Sequence, residues 1–298
     1  MKVAITGSHG LIGSVLAENL TADGSHVTSV VRGRAGPREV AWDPAAGTID
    51  AAGLEGHDAV VHLAGAGIGD HRWTASYKAQ VLDSRVKGTT TLARALATLE
   101  RPPKVLASGS AVGYYGDRGD TELTEASAAG TGFLSEVVQQ WEAAVAPAAE
   151  AGIRVVNIRS GIVMTGLGGA LKKQLLPFKL GLGGRIGSGA QYLSWVSLDD
   201  EIGGIRHVLA NESVRGPVNV TAPNPVTNAQ FTKTLGTVLR RPTFIPVPTV
   251  ALDVVLGRQL VREMLTSGQR VLPAVLQAHG YRFQHPTLDA ALRAALSA

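Results

Sequence analysis

The stretch Lys2-Val3-Ala4-Ile5-Thr6-Gly7-Ser8-His9-Gly10-Leu11-Ile12-Gly13 opens the chain and decides its fold. Lys2 to Thr6 is a short apolar run of the kind that forms a fully buried strand, and Leu11 to Ala22 carries apolar residues at helical spacing. His26 to Val31 is a second β-branched run, so the three segments read as a βαβ unit. Glycines stand at relative positions one, four and seven of the first turn. Gly7 permits a tight exit from the strand, Gly10 lets backbone N–H groups approach a pyrophosphate, and Gly13 lets the helix lie close on the strand. The helix that begins near Leu11 presents its positive end to such a phosphate. Following a strand and opening a helix is the context in which this pattern signifies dinucleotide binding rather than a merely tight turn. Gly7, Ser8, His9, Gly10, Leu11, Ile12 and Gly13 are therefore the predicted phosphate cradle.

The end of the second strand selects the cofactor, because a carboxylate there accepts from an adenosine ribose diol whereas arginine pairs with a 2′-phosphate. Arg32, Gly33 and Arg34 follow Val31, and no carboxylate appears before Glu39. Arg32 and Arg34 thus favour NADP over NAD, unless they are ordinary loop arginines. Asp58 to Ala64 reads as a further buried strand, and the small residues at its end, in Leu63-Ala64-Gly65, leave room for a ring or ribose against the backbone.

The T-G-x-x-G-x-x-G spacing resembles the short-chain dehydrogenase/reductase superfamily, specifically its extended or atypical members. After the strand at Lys104 to Ser108, the run from Ser108 to Gly116 resembles the S-S-x-x-V-Y-G turn of nucleotide-sugar epimerases and dehydratases, with one extra residue. The resemblance gives Ser110 the role of binding the reacting oxygen and places Ser108 in the cofactor site. It also implies a Y-x-x-x-K pair on the next helix, where lysine lowers the pKa of a catalytic tyrosine. That pair is missing: Phe133 or Leu134 stands in the tyrosine position, valine stands in the lysine position, and none of the five tyrosines has a lysine four residues on. Tyr115, which aligns with the tyrosine of V-Y-G, and then Tyr114 are the substitute proton donors. Both are equally at home as packing residues.

Further segments resemble one branch of atypical members, NADP-dependent sugar-nucleotide-epimerase-like proteins sometimes labelled cell-division-inhibitor relatives. These are Arg72-Trp73, Ser84-Arg85, Trp141-Glu142, Gly187-Ser188-Gly189-Ala190-Gln191 with Trp195, and the portion from Asn228 to Tyr281, which resembles that branch's extra C-terminal domain. The resemblance spans nearly the whole chain. It places Ser160, Gly161 and Ile162 against the nicotinamide and, with the loop positions, suggests Arg72, Gly187, Ser188 and Gln191 as substrate contacts.

Composition narrows the remaining classes. The 298 residues are 45% hydrophobic, 17% charged and 5% aromatic, with no cysteine, so disulfide frameworks, thiolate metal sites and cysteine nucleophiles are excluded. The net charge of +4 comes from scattered basic residues without interleaved aromatics, which argues against a nucleic-acid partner. His57, His62 and His71 are too irregularly spaced for a helical metal pair, and neither a G-x-S-x-G elbow nor a phosphate loop occurs. No export signal and no stretch of membrane-spanning length is present, so the expectation is a cytoplasmic protein with a small-molecule substrate and no membrane partner. Eight glycines between Thr165 and Gly189 predict a mobile lip around a helix at Ala170 to Lys179, poor at forming a core. Asp199 is a candidate cap for a helix from Glu201 to Ala210.

The expected fold is α/β: a Rossmann, doubly wound parallel sheet with a smaller C-terminal substrate lobe. Residues 1–163 form the NADP-binding domain, with the sheet completed by about 195–222, and residues 164–298 form the substrate lobe and C-terminal domain. The expected function is that of an NADP(H)-dependent oxidoreductase or epimerase acting on a carbonyl or hydroxyl of a small polar, possibly nucleotide-linked, substrate. The alternative is a catalytically silent NADPH-binding redox sensor.

Overall fold

Val3, Ala4 and Ile5 are fully enclosed, and the strand residues Ala59 to His62 paired beside them are equally buried, so the centre of the sheet is covered on both faces. The computed structural model describes residues 1–297. In chain order the first half holds β1 (Lys2–Thr6), α1 (Leu11–Ala22), β2 (His26–Arg32), β3 (Glu39–Asp43), β4 (Thr48–Ile49), β5 (Ala59–His62), α2 (Ala75–Ala97), β6 (Val105–Ala111), β7 (Glu122–Leu123), α3 (Phe133–Ala143) and α4 (Ala146–Glu150). The second half holds β8 (Arg154–Ser160), β9 (Ile162–Met164), α5 (Gly169–Lys179), β10 (Tyr192–Leu193), β11 (Trp195–Ser197), α6 (Leu198–Ala210), β12 (Gly216–Val220), β13 (Val226–Thr227), α7 (Asn228–Leu239), α8 (Thr249–Leu256), α9 (Arg258–Leu260), β14 (Arg270–Val271), α10 (Ala274–Ala278) and α11 (Leu288–Ser297).

Eight strands form the main sheet in the order β12-β8-β6-β5-β1-β2-β3-β4, parallel throughout except for the antiparallel edge pair β3–β4. The chain leaves β1 in opposite directions on the two sides, so the switch point, and with it the crevice beyond the strand ends, falls between β1 and β5. One face packs on α1 and α6 through Leu16, Leu20, Ile202 and Ile205; the other packs on α2 and α4 through Leu92, Leu96 and Ala148. This is the doubly wound Rossmann arrangement.

The rest of the chain is less separable than its sequence. β12 completes the main sheet, whereas β11 pairs with β9 in a ladder of its own. A third core, with Leu171, Phe178, Trp195, Phe231 and Leu292, joins α5, α7 and α11. The glycine-rich stretch thus contributes buried side chains, which corrects the expectation that it would not: apart from Gly169, which opens α5, its glycines lie outside the helix, while Leu171 and Phe178 lie seven apart on one face of α5. Ser197, not Asp199, caps α6 by accepting from the backbone N–H of Asp200, and Asp199 instead pairs with His285 at 2.9 Å. No described helix is long and apolar enough to cross a membrane.

Candidate functional site

The glycine turn is built from backbone alone. Gly7 has φ +71°, and a Cβ there would lie 3.0 Å from the backbone of Leu63 and Ala64, so this position demands glycine. A Cβ on Gly13 would lie 2.2 Å from the carbonyl oxygen of Gly7, which holds α1 against the turn. Gly10 donates to that same oxygen at 2.8 Å and caps α1 without a side chain, so the first-turn N–H groups keep no side-chain acceptor. Ser8 is buried with its hydroxyl unpartnered.

Gly7, Ser8, His9 and Gly10 line a cleft of about 940 Å³ with Arg32, Arg34, Leu63, Ala64 and Gly65, while Leu11, Ile12 and Gly13 lie behind it in α1. Arg32 and Arg34 are exposed and in no ion pair among the described residues. Glu39, the nearest carboxylate in sequence, lines the same wall but caps its own loop, accepting from the Gly36 N–H at 2.7 Å. The donor set therefore fits a dinucleotide: bare N–H groups and a free hydroxyl for the diphosphate, two cations for a further phosphate.

Beneath the cleft the polar groups are paired. The Thr6 hydroxyl meets His62 Nδ1 at 2.7 Å and accepts from the N–H groups of Leu63 and Ala64 at 3.1 and 3.2 Å. Thr89 meets the other ring nitrogen at 2.9 Å. Burial and the nearby Arg85 lower the His62 pKa to about 4, so it is a neutral packing residue. Arg85 donates to the carbonyl oxygens of Ala66 and Val81, and Ser84 accepts from the Ala66 N–H at 3.1 Å; together they hold the turn after β5 in place.

The second feature is a chain of buried hydrogen bonds beyond β6. Ser110 donates to Glu142 at 2.6 Å, and Arg159 grips the same carboxylate with two bonds of 2.7 and 2.8 Å. Arg159 also donates to the Tyr115 hydroxyl at 2.9 Å, and that hydroxyl donates to Asn219 at 2.7 Å. Tyr115 has no exposed surface, and burial raises its pKa. The structure does not bring Tyr115 to either cleft. Its choice as proton donor is corrected on that ground, since ring and hydroxyl are both consumed by packing. Tyr114 lies with its ring 3.5 Å from the Arg159 guanidinium carbon, half-buried.

On α3, Leu134 lines the neighbouring cleft while Val137 and Val138 are buried, so no proton relay occupies those positions. Glu263 arrives there from the C-terminal lobe and accepts from the Leu134 N–H at 2.8 Å, a favourable charge at a helix N-terminus.

Two further hollows, of about 750 and 780 Å³, lie between the turn after β6 and the segment Arg258 to Gln269. Gly187, Ser188 and Gln191 line the second of them, with Arg258 and Arg262 shared by both. Gln191 fixes that lip by donating to the carbonyl oxygens of Ile186 and Leu265 at 3.2 and 2.9 Å. Arg72 does not join them: it is exposed and approaches Gly257, lining none of these hollows. Ser108 is fully buried, Ser160 donates to the buried Glu201, a Cβ on Gly161 would meet the Ser194 carbonyl, and none of the three lines these hollows. Ile162 pairs with Trp195 in the β9–β11 ladder. Sequence reasoning missed Glu142, Arg159, Asn219 and Glu201 as site residues; Glu142 enters it only through the Trp141-Glu142 resemblance and Glu201 only as a helix start.

Comparison with known proteins places this geometry. Residues 3–220 match the NAD dependent epimerase/dehydratase family, and residues 247–295 match a domain of unknown function, DUF1731. The epimerase family protein Mb2239 of Mycobacterium bovis is 42% identical over 97% of this chain and 96% of its own length. A crystal structure of the human epimerase family protein SDR39U1 (isoform 2) with NADPH superposes with a TM-score of 0.92 at 39% identity, covering 100% of this chain and 99% of that one. The structure of a nucleoside-diphosphate sugar epimerase from Corynebacterium glutamicum gives a TM-score of 0.81 at 36% identity, covering 99% of this chain and 58% of that chain.

Proposed function

This chain belongs to the NAD dependent epimerase/dehydratase family, and we propose that it binds NADP(H) in the cleft of the glycine turn and uses it on a carbonyl or hydroxyl of a small polar substrate. The observation that carries the cofactor choice is the pair Arg32 and Arg34, unpaired cations at the end of β2 on the wall of the cleft whose floor is the phosphate cradle. The NADPH present in the human relative's structure supports the same choice.

A bound nicotinamide supplies or accepts hydride at the substrate carbon. Ser8 and the first N–H groups of α1 hold the diphosphate, Arg32 and Arg34 hold the 2′-phosphate, and Leu63 to Gly65 carry the ribose against backbone. The lip at Gly187, Ser188 and Gln191 lines the hollow that would take the substrate, where Arg258 and Arg262 stand among the carboxylates of Asp117, Asp120 and Asp253 and suit a polar substituent. Ser110, only 5% exposed, donates to Glu142 and lines neither the cleft nor the two hollows, so it is held with Tyr115 in the buried network.

Titration of the full chain with NADPH and NADH tests the cofactor reading. NADPH binds at least tenfold tighter, and R32A/R34A removes that preference by about 1.5–3 kcal/mol, the worth of charge-assisted hydrogen bonds. Equal affinity for the two cofactors overturns it.

A second reading, an NADPH-binding sensor without turnover, rests on the absence of a tyrosine–lysine pair on α3, where Phe133, Leu134, Val137 and Val138 stand. Single-turnover loss of the nicotinamide absorbance against a panel of carbonyl compounds separates the two readings.

A further inference from the structure

Apart from Met1, every large apolar side chain that stands exposed among the described residues lies between Leu167 and Val255. Phe244 is 91% exposed, Val254 71%, Leu176 66% and Leu180 65%. Helix α8 buries none of its eight residues. These side chains belong to two segments that run side by side: Ile186 bridges Val247 in parallel register, Val247 donates to the Arg185 carbonyl at 2.8 Å, and Arg241 donates to the Lys179 carbonyl at 2.8 Å. The exposed apolar groups of the loop after α5 and of the segment before α8 thus lie on neighbouring stretches of chain, with α5 leading into the one and α8 following the other.

The charge on these segments is mostly positive, with Lys173 of α5 paired to Asp70 and Asp253 the one carboxylate on α8. No Asp or Glu occurs from residue 151 to 198 or from residue 213 to 252. The same segments expose Lys172, Lys179, Arg185, Lys233, Arg240 and Arg241. Lys233, Arg240 and Arg241 surround the hollow that Phe244 borders. Asp253, the first carboxylate after the second stretch, lines the interior hollow beside Ser188 and Gln191.

We propose that the face these segments expose docks on an anionic phospholipid surface. Phe244 and the aliphatic side chains of the loop after α5 and of α8 enter the headgroup–acyl boundary, while the surrounding cations hold lipid phosphates. The absence of a spanning stretch, from which the sequence predicts no membrane partner, does not bear on a contact of this kind. A second copy is the poorer occupant, because a two-fold interface sets each patch on itself and brings these cations together without a carboxylate between them. Because Ile186 to Gln191 and Thr249 form both the edge of this face and a wall of the substrate hollow, docking sets that hollow beside the bilayer.

Sedimentation of the full chain with vesicles of phosphatidylcholine, with and without phosphatidylglycerol, tests this. Binding rises at least tenfold with phosphatidylglycerol and falls at high salt. The R240E/R241E variant weakens binding by about tenfold or more, in line with the surface attraction of single cations. F244D/V254D abolishes binding and leaves the melting temperature unchanged, since both side chains are exposed. Should this variant fail to fold, the R240E/R241E arm decides alone. Failure to bind phosphatidylglycerol vesicles overturns the proposal, as does binding that R240E/R241E leaves intact. A dimer by light scattering that F244D converts to monomer, with no vesicle binding, assigns the face to a second copy. None of these outcomes depends on the cofactor reading.

Discussion

The turn after β1 and the turn after β6 sit at the ends of strands in the same sheet, one strand apart, and treat their polar groups in opposite ways. At the first, a hydroxyl and the opening N–H groups of α1 are left without side-chain partners, and glycine holds every position where a side chain would fill the space. At the second, Ser110, Glu142, Arg159, Tyr115 and Asn219 satisfy one another in an unbroken chain. A buried polar group without a partner costs about 1–3 kcal/mol, so the first turn is built to be completed by a ligand. The second is complete and gives rigidity.

Four substitutions break or sharpen this contrast. Arg159→Met carries the largest effect: it leaves Glu142 buried without its cation, in a pair whose side chains are only 3% and 12% exposed. Removing one partner of such a pair costs about 3–5 kcal/mol, read as a loss in denaturant unfolding with NADPH affinity of the folded protein kept. A variant that keeps its stability and loses cofactor would place ligand binding at the second turn instead.

Glu201 blurs the contrast, since Ser160 donates to one carboxyl oxygen and the other is buried without a partner. Burial raises its pKa from 4.5 to about 7. The unfolded chain ionises this group first, so its contribution is fully present below pH 4.5 and lost as pH rises to about 7. Relative to Glu201→Gln, the wild type loses about 3 kcal/mol across that window. His62 has the opposite sign, because its pKa falls from 6.5 to about 4 and the stability of its neutral form is lost as pH drops between those values. The Gln variant therefore exposes a slope that the two groups largely offset in the wild type. Parallel pH profiles for the two proteins would show that Glu201 is ionised in the fold.

At the first turn, Gly13→Ala sets a Cβ against the Gly7 carbonyl oxygen. Displacement of α1 costs about 1–3 kcal/mol and removes NADPH binding, measured by thermal shift with and without cofactor. Ser8→Ala has the smallest effect. Deleting a buried hydroxyl that has no partner raises unliganded stability by about 1 kcal/mol, since its lost hydration is no longer uncompensated, while NADPH affinity drops severalfold. Destabilisation of the unliganded protein instead would mean that Ser8 already has a partner.

The same contrast explains what the sequence disclosed. Glycines spaced for a cradle act within seven residues of chain, so the phosphate turn and the βαβ unit around it can be read locally. The Glu142–Arg159–Asn219 network joins a helix and two strands through contacts 17 to 104 residues apart, and nothing in the spacing of those residues announces it. Tyr115 was legible as a family position and not as a buried one, because burial depends on Val271, Leu123 and the C-terminal lobe closing over it. The lip glycines hid Leu171 and Phe178, since composition averages over a helix that presents one apolar face. The capping role went to Ser197 rather than Asp199 because α6 begins earlier than its apolar spacing implied.

Asp200 is fully enclosed at the start of α6, and its carboxylate accepts from Ser197, from Tyr281 and from the main-chain N–H groups of Gln284 and His285. Leu276, with Tyr281 and Phe283 beside it, enters the same core as β1 and α1. The segment that matches a family of its own is thus stitched to the nucleotide-binding body at a point no solvent reaches. A chain cut ahead of residue 247 would strip Leu276, Tyr281 and Phe283 from the core around β1 and α1 and leave the enclosed Asp200 without Tyr281, Gln284 and His285.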